Sequence, residues 1–466
     1  MHRNKKQCLA EHVTRFRARF MQSVGSVLGN VIPRSALTQW VIEETGAYRE
    51  RLYSPFTTLV LFIEQVLGSD HSCQDAVARG LSARVALGQP SCSLNTGPYC
   101  KARARLPLTL LVRLAREVGS RLCTGQPTAW RWRGQEVKLI DGTTVSMPDT
   151  AANQARFPQS RTQKPGLGFP LARLVAVISL SAGAVLEWAL DACEGKKTGE
   201  TALLWRLLPR LTRGDVVIAD GYYAGFFMIA GLIAQGVDIV MPQHHLRITD
   251  FRRGKQLGVR DHVVTWVRPK RPDWMEEETY TQMPETLTMR EVRTGGRTLI
   301  TTFTDAHATP KKALAELYAM RWHVEIDLRA IKTVMQMDIL RCKTPEMVEK
   351  EIAAHLLAYN LVRTVMAQAA CMNNLLPRQL SFKTAVQLLN AFEMTLRHRS
   401  PQGIAIRHIE LLSRLGRRRL PHRPDRVEPR VVKRRPKQHW LLTKPRHLLR
   451  ARLLKLQERR VAAALR

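Results

Sequence analysis

Residues 215–241, DVVIADGYYAGFFMIAGLIAQGVDIVM, decide the fold class. Asp215-Val-Val-Ile-Ala-Asp220 reads as a buried strand that ends in an acid and a glycine. Phe226–Gln235 follows with helical texture, and Val237-Asp-Ile-Val-Met241 is a second short strand. Upstream, Val137-Lys-Leu-Ile-Asp141 is another apolar run closed by an acid and Gly142. Leu174–Leu180 and Gly183–Leu190 form a hairpin pattern, and Thr201–Leu211 reads as a helix. The order strand, two strands, helix, strand, helix, strand predicts an α/β core on a mixed sheet. Residues 245–300 interrupt it with polar, arginine-rich sequence. Strand patterns recur there at Val263–Val267 and Leu287–Val292, then at Thr298–Phe303 just beyond, so a small β-rich insertion is expected.

Residues 310–363 close the core as two long helices, with a break near Lys343-Thr344-Pro345. Pro310 and Pro345 suit helix starts. Tyr318, Arg321, Glu325 and Lys332 are spaced by three, four and seven residues. On one continuous helix they share an arc of roughly 60°. Asp327 lies about 200° from Glu325 and Asp338 about 220°, so those acids point elsewhere. A charged face of this kind is commonly just a solvated, salt-bridged surface. It also suits a metal ion beside a phosphate: a carboxylate for the metal, cations and a phenol for the phosphate oxygens.

The 466 residues carry a formal net charge of +34, which calls for a polyanionic partner, most simply nucleic acid. The charge is uneven. Residues 397–466 hold 22 lysines and arginines against 4 acids, and residues 1–125 hold 17 against 8. The flanks therefore read as polyanion grips around a catalytic core. Residues 8–125 look helical. The pattern around 74–123 allows a helix-turn-helix, and RFRARF at 15–20 suits a phosphate-contacting edge. The end, 423–446, is rich in proline and basic residues, as in segments that stay extended until a polyanion binds. The 8 cysteines form no CxxC pair and give no zinc spacing. The N-terminal residues are too charged for a signal peptide and no run of about 18 apolar residues occurs. A cytoplasmic protein with no membrane partner is expected.

Asp141 and Asp220 each end an expected strand, where α/β sheets place their ligands. With Glu325 they would make an all-oxygen set, which suits Mg2+ or Mn2+ rather than zinc. Each aspartate alone has a plainer reading as a cap or turn residue before glycine. At this point the chain resembles a known family, the DDE-class insertion-sequence transposases of the insertion sequence four family. Tyr318-x2-Arg321-x3-Glu325-x6-Lys332 fits the family's Y-R-E-K signature without a gap. Asp141-Gly-Thr143 and Asp220-Gly-Tyr-Tyr223 resemble its two aspartate motifs. Asp149-Thr-x-x-Asn153-x-x-x-Phe157-Pro158 and Ala358-Tyr-Asn-Leu-Val-Arg363 resemble the segments that follow the first aspartate and the signature. The likeness covers roughly 135–365.

The resemblance implies an RNase H-like core, first part 126–244 and second part 301–370, split by the insertion 245–300. Flanking it are a helical, DNA-binding region 1–125 and a basic helical or extended region 371–466. It implies Asp141, Asp220 and Glu325 as catalytic residues holding two Mg2+ or Mn2+ ions. Tyr318, Arg321, Trp322 and Lys332 are the implied DNA contacts. The implied partner is double-stranded DNA, both transposon ends and target, bound by a homodimer. The implied reaction is cleavage at the ends and transfer of the freed 3′-hydroxyl. Where such enzymes flip a base, it stacks on tryptophan, for which Trp266 and Trp274 are the candidates within the insertion. His244-His245 lacks further ligands at a metal-site spacing, and His323 lies off the signature face by about 160°. Two rivals stand beside this reading. One is a DNA-binding protein of transposase descent that no longer cuts. The other is a sugar hydrolase with paired carboxylates, which leaves +34 unexplained and sits badly with 6% aromatics.

Overall fold

The computed structural model describes residues 32–46, 52–86, 91–396, 401–421 and 441–464. The RFRARF stretch and residues 423–440 of the tail lie outside them. Five helices lead the described chain: α1 (Arg34–Thr45), α2 (Pro55–Leu67), α3 (Cys73–Ala86), α4 (Gly97–Arg105) and α5 (Leu108–Thr124). Ser54 caps α2 by accepting from the Thr57 N–H, with Pro55 in the first turn. In α5 the buried residues Leu110, Leu111, Leu114, Ala115, Val118 and Leu122 recur at three and four, so one stripe faces inward.

The sheet is built from β1 (Val137–Ser146), β2 (Leu171–Ser179), β3 (Val185–Ala192), β4 (Val216–Ile218), β5 (Asp238–Pro242), β6 (Lys255–Gly258), β7 (Asp261–Val267), β8 (Thr286–Thr294) and β9 (Arg297–Thr301). Helices α6 (Ala151–Arg156), α7 (Glu200–Leu207), α8 (Phe226–Ala234) and α9 (Glu277–Gln282) connect them. The strand order is β3-β2-β1-β4-β5-β9-β8-β7-β6. In the first five, β1, β4 and β5 run parallel and β2 is antiparallel to β1. That is the RNase H-like arrangement. The expected insertion does not interrupt the sheet. Strand β9 pairs antiparallel with β5, Val240 opposite Thr301 and Pro242 opposite Leu299, and β8, β7 and β6 follow outward.

Side-chain alternation splits the core in two. Val137, Leu139, Val216, Ile218 and Val240 face one cluster, together with α5 and the later helices. Ile140, Val217, Ala219, Ile239 and Met241 face the other, with α7 and α8. The later helices are α10 (Lys311–Ala319), α11 (Trp322–Arg329), α12 (Pro345–Met372), α13 (Phe382–Leu396), α14 (Pro401–Gly416) and α15 (Arg446–Ala464). Thr344 caps α12 and Pro345 opens it, as the sequence predicts. Every residue of α12 from Glu351 to Cys371 is buried, so it is a helix wrapped on all sides. Helix α14 also belongs to the core, burying Leu411, Leu412 and Leu415, so the basic tail begins after it.

Asn360 of α12 ties the layers together. Its amide donates to the Val185 and Ala115 carbonyls at 2.7 and 2.9 Å, and its oxygen accepts from the Val185 N–H. This needs α5 and β3 in close contact, which Gly119 permits: a Cβ there would stand 2.6 Å from the Val185 oxygen. Gly119→Ala should cost about 1–3 kcal/mol as an overpacked contact, read by denaturant unfolding. An unchanged midpoint would mean α5 shifts freely on the sheet.

Candidate active site

Strand β1 does not end at Asp141. It continues to Ser146 because β2 pairs along its whole length, with Asp141 opposite Ala176. Strand β4 is only three residues long, and its parallel pairing with β1 stops at Leu139 opposite Ile218. Asp141 and Asp220 each lie two residues beyond that last pair. A two-residue step along a strand keeps each side chain on the face of Leu139 and Ile218. The parallel ladder thus turns both carboxylates toward the α11 side of the sheet.

Helix α11 brings the third. Val324 and Leu328 pack into that same core, and Glu325 turns toward the strands. Arg321 links the acids: its Nη2 donates to Glu325 Oε1 at 2.7 Å, and its Nη1 lies 3.9 Å from Asp141 Oδ2. Burial pushes the Asp141 carboxyl up to about 6. The Gly142 N–H and Arg321 pull against that, and Glu200 and Glu325 add to it. Asp220 is exposed and accepts from the Tyr222 N–H at 2.6 Å, capping a short 3-10 turn, Gly221–Tyr223. Gly221 lets this turn lie against the Pro242 and Gln243 carbonyls, each 3.3 Å from where a Cβ would stand.

The signature helix is not continuous. At the α10–α11 junction the bonds tighten to three-residue steps: Arg321 N to Tyr318 O, His323 N to Met320 O and Val324 N to Arg321 O. After α11, residues 330–334 open into a π-turn. No proline or glycine marks either irregularity. The 60° arc of a straight helix therefore does not apply: Tyr318 sits on α10, Arg321 at the junction, Glu325 on α11, and the half-buried Lys332 in the π-turn. Burial raises the pKa of Tyr318, against the pull of Arg321 and Arg297. Trp322 is 47% exposed beside Arg321.

Asp327 does point away from Glu325, into the core. It is fully buried, ion-paired with Arg363 of α12 and with Arg378 at 2.9 Å. Arg378 also donates to the Ser179 carbonyl at 3.0 Å. The other end of this segment is held at β1, where Ser146 exchanges backbone bonds with Asp338 and Leu340. Asn153 of α6 donates to the carbonyls of Pro148 and Cys342. The motif residues outside the acids are therefore largely anchors for them.

Trp266 is not placed to stack on a base. It is 2% exposed, donates to Glu291 at 2.8 Å, and lies under the Arg247 guanidinium, 3.6 Å from the ring centre. Trp274 is half exposed and packs with Trp205 and Phe227 of the second core. His244 and His245 stack on one another, 4.3 Å between ring centres. They line a groove with Arg247, Arg260, Arg293 and Arg297 that contains no acid. Burial depresses His323 to about 4, so it is neutral at pH 7. The sequence did not single out this groove, nor Glu200 and Tyr223, which meet behind Asp141.

A family described as "Transposase DDE domain" matches residues 132–361. The chain is 31% identical over 347 residues to "Transposase InsG for insertion sequence element IS4" of Escherichia coli (strain K12), covering 70% of this chain and 75% of that protein. Among solved structures, a piggyBac transposase synaptic complex with hairpin DNA is similar at a TM-score of 0.40 and 9% identity, over 87% of this chain and 81% of that one. The Y-R-E-K residues, the two aspartate motifs and the InsG likeness agree, and the chain belongs to the IS4 family of DDE transposases.

Proposed function

We propose that this transposase cuts DNA at the ends of a mobile element and joins the freed 3′-hydroxyl to target DNA, with Asp141, Asp220 and Glu325 as the catalytic carboxylates. The observation that carries this is Arg321, whose one positive charge spans Asp141 and Glu325 from different elements. Among the described residues, no three His, Cys, Asp or Glu side chains stand close enough to form a ready-made metal cage. The donor set nonetheless suits a hard cation. It is all oxygen, and Asp141 is held desolvated, with the Gly142 N–H and the Arg321 charge favouring its ionised form. Asp141, Asp220 and Glu325 would hold Mg2+ or Mn2+, two ions in the reading of the sequence. When bound, such ions activate a water or 3′-hydroxyl and stabilise the leaving oxygen.

The protein's own groups do the rest. Tyr318, Arg321 and Lys332 grip phosphates next to the cut, and Trp322 offers an exposed ring. The arginines of the groove beyond the end of β5 (Arg247, Arg260, Arg293 and Arg297) extend the phosphate-binding track. The partner is double-stranded DNA, held by a homodimer with paired ends. The second reading, DNA binding without cutting, is favoured only by the looseness of the acid cluster.

Incubating the full chain with labelled DNA bearing its own flanking ends, in Mg2+ or in EDTA, tests the reading. Metal-dependent breaks at the ends are expected. Specific binding without a break in either condition would overturn it in favour of the second reading. The tail makes a separate prediction: deleting residues 422–466, which follow the last core helix, should flatten the fall of DNA affinity with salt. An unchanged slope would remove the tail from the DNA path.

A further inference from the structure

A fourth carboxylate approaches the site from the opposite face of the sheet. Helix α7 packs on the second core through Leu203, Leu204 and Leu207, away from α11, and its first residue is Glu200. Alternation along β1 turns Asp141 toward α11 and position 142 toward α7. Position 142 is glycine, yet its φ is not positive, so its backbone does not require glycine. The reason is space: a Cβ there would fall inside the Glu200 carboxyl group. Glu200 Oε2 in turn accepts from the Tyr223 hydroxyl at 3.1 Å. Tyr223 is buried in the turn that Asp220 caps. One side chain therefore rests on the residue after Asp141 and is held by the turn that follows Asp220.

We propose that Glu200, held by Tyr223 and admitted by Gly142, is a positioning residue that fixes Asp141 relative to Asp220 and raises the site's affinity for a divalent cation. This rests on the metal-dependent reading given above. Among the described residues the Glu200 carboxylate accepts from the Tyr223 hydroxyl, and its charge adds to the field that a cation meets between the strands. Residues that position metal ligands without touching the ion change metal affinity by roughly 10–100-fold.

The experiment measures Mn2+ binding to the full chain on its end DNA, by the electron paramagnetic resonance of free Mn2+. Wild type is compared with Glu200→Gln, Tyr223→Phe and Asp141→Asn. Glu200→Gln should weaken Mn2+ binding by about 10–100-fold. Tyr223→Phe should weaken it in the same direction and less, with DNA affinity and thermal midpoint unchanged in both. Mn2+ binding in Glu200→Gln equal to wild type, with Asp141→Asn impaired, would overturn the role of Glu200 and leave the metal reading standing. Wild-type binding in all three would sink both. Should Glu200→Gln lose its fold, Tyr223→Phe decides alone, because removing one hydroxyl leaves the packing of the ring in place. An unaltered Mn2+ affinity there overturns the proposal.

Discussion

Glu325→Gln should leave a folded protein that binds end DNA and does not cut it. The side chain is about one third exposed and ion-pairs with Arg321. Losing a pair so exposed costs at most about 1 kcal/mol. Glutamine keeps the shape and its oxygen can still accept from Arg321, so α11 should stay in place. What is lost is the negative charge. In a reaction that runs on charge stabilisation, removing one anionic ligand should raise the barrier by about 4 kcal/mol, roughly a thousandfold in rate. The measurement is single-turnover cleavage of labelled end DNA, beside a binding isotherm. Cleavage within tenfold of wild type would remove Glu325 from the chemistry. Loss of binding together with cleavage would show instead that the substitution had disturbed the DNA surface.

The second large effect is on stability and comes from two residues further along the same helix. Asp327→Asn should destabilise the protein by about 3–5 kcal/mol, the usual result of removing one partner from a buried ion pair. Asp327 is fully buried between Arg363, 3% exposed, and Arg378. Asparagine would leave two guanidinium groups in the core without their counter-charge. Arg363 would retain Tyr359, whose hydroxyl accepts from its Nε at 2.8 Å. Arg378 would retain two backbone carbonyls. Those contacts satisfy donors but do not balance charge. Urea unfolding of the apo protein reads the change. A loss below about 1 kcal/mol would mean that water reaches the triad and screens it.

The sequence made the central strands plain because β1, β4 and β5 each hold a short apolar run, followed in β1 and β4 by an acid and a glycine. Val216, Val217 and Ile218 could be little else. The three candidate acids stood out through local patterns too, an acid and a glycine after an apolar run and the tight Y-R-E-K spacing. What stayed hidden was not local. The run of β1 past Asp141 depends on its pairing with β2, and the junction of β9 with β5 depends on a partner some sixty residues away. The tightened and widened turns at 321 and 330–334 carry no proline or glycine, because they answer to anchors elsewhere: Asp327 on the buried arginines and Asp338 on β1. Trp266 was a stacking candidate only as an aromatic of the insertion, with strand packing the equal alternative, and its register turns the ring inward onto Glu291. Glu200 was invisible because its meaning lies in a missing side chain at position 142, read only across the sheet.

The continuity of β5 and β9 has a mechanical consequence. A module joined by two loops could swing on them as a hinged arm. Strands β6–β8 are welded to the first five strands through the bonds of Val240, Met241 and Pro242 with β9, and so can move only by bending the sheet. The basic groove at that seam therefore keeps a constant offset from Asp220. Under the proposed function, a DNA strand bound in it would meet the acids at a set distance along the sheet.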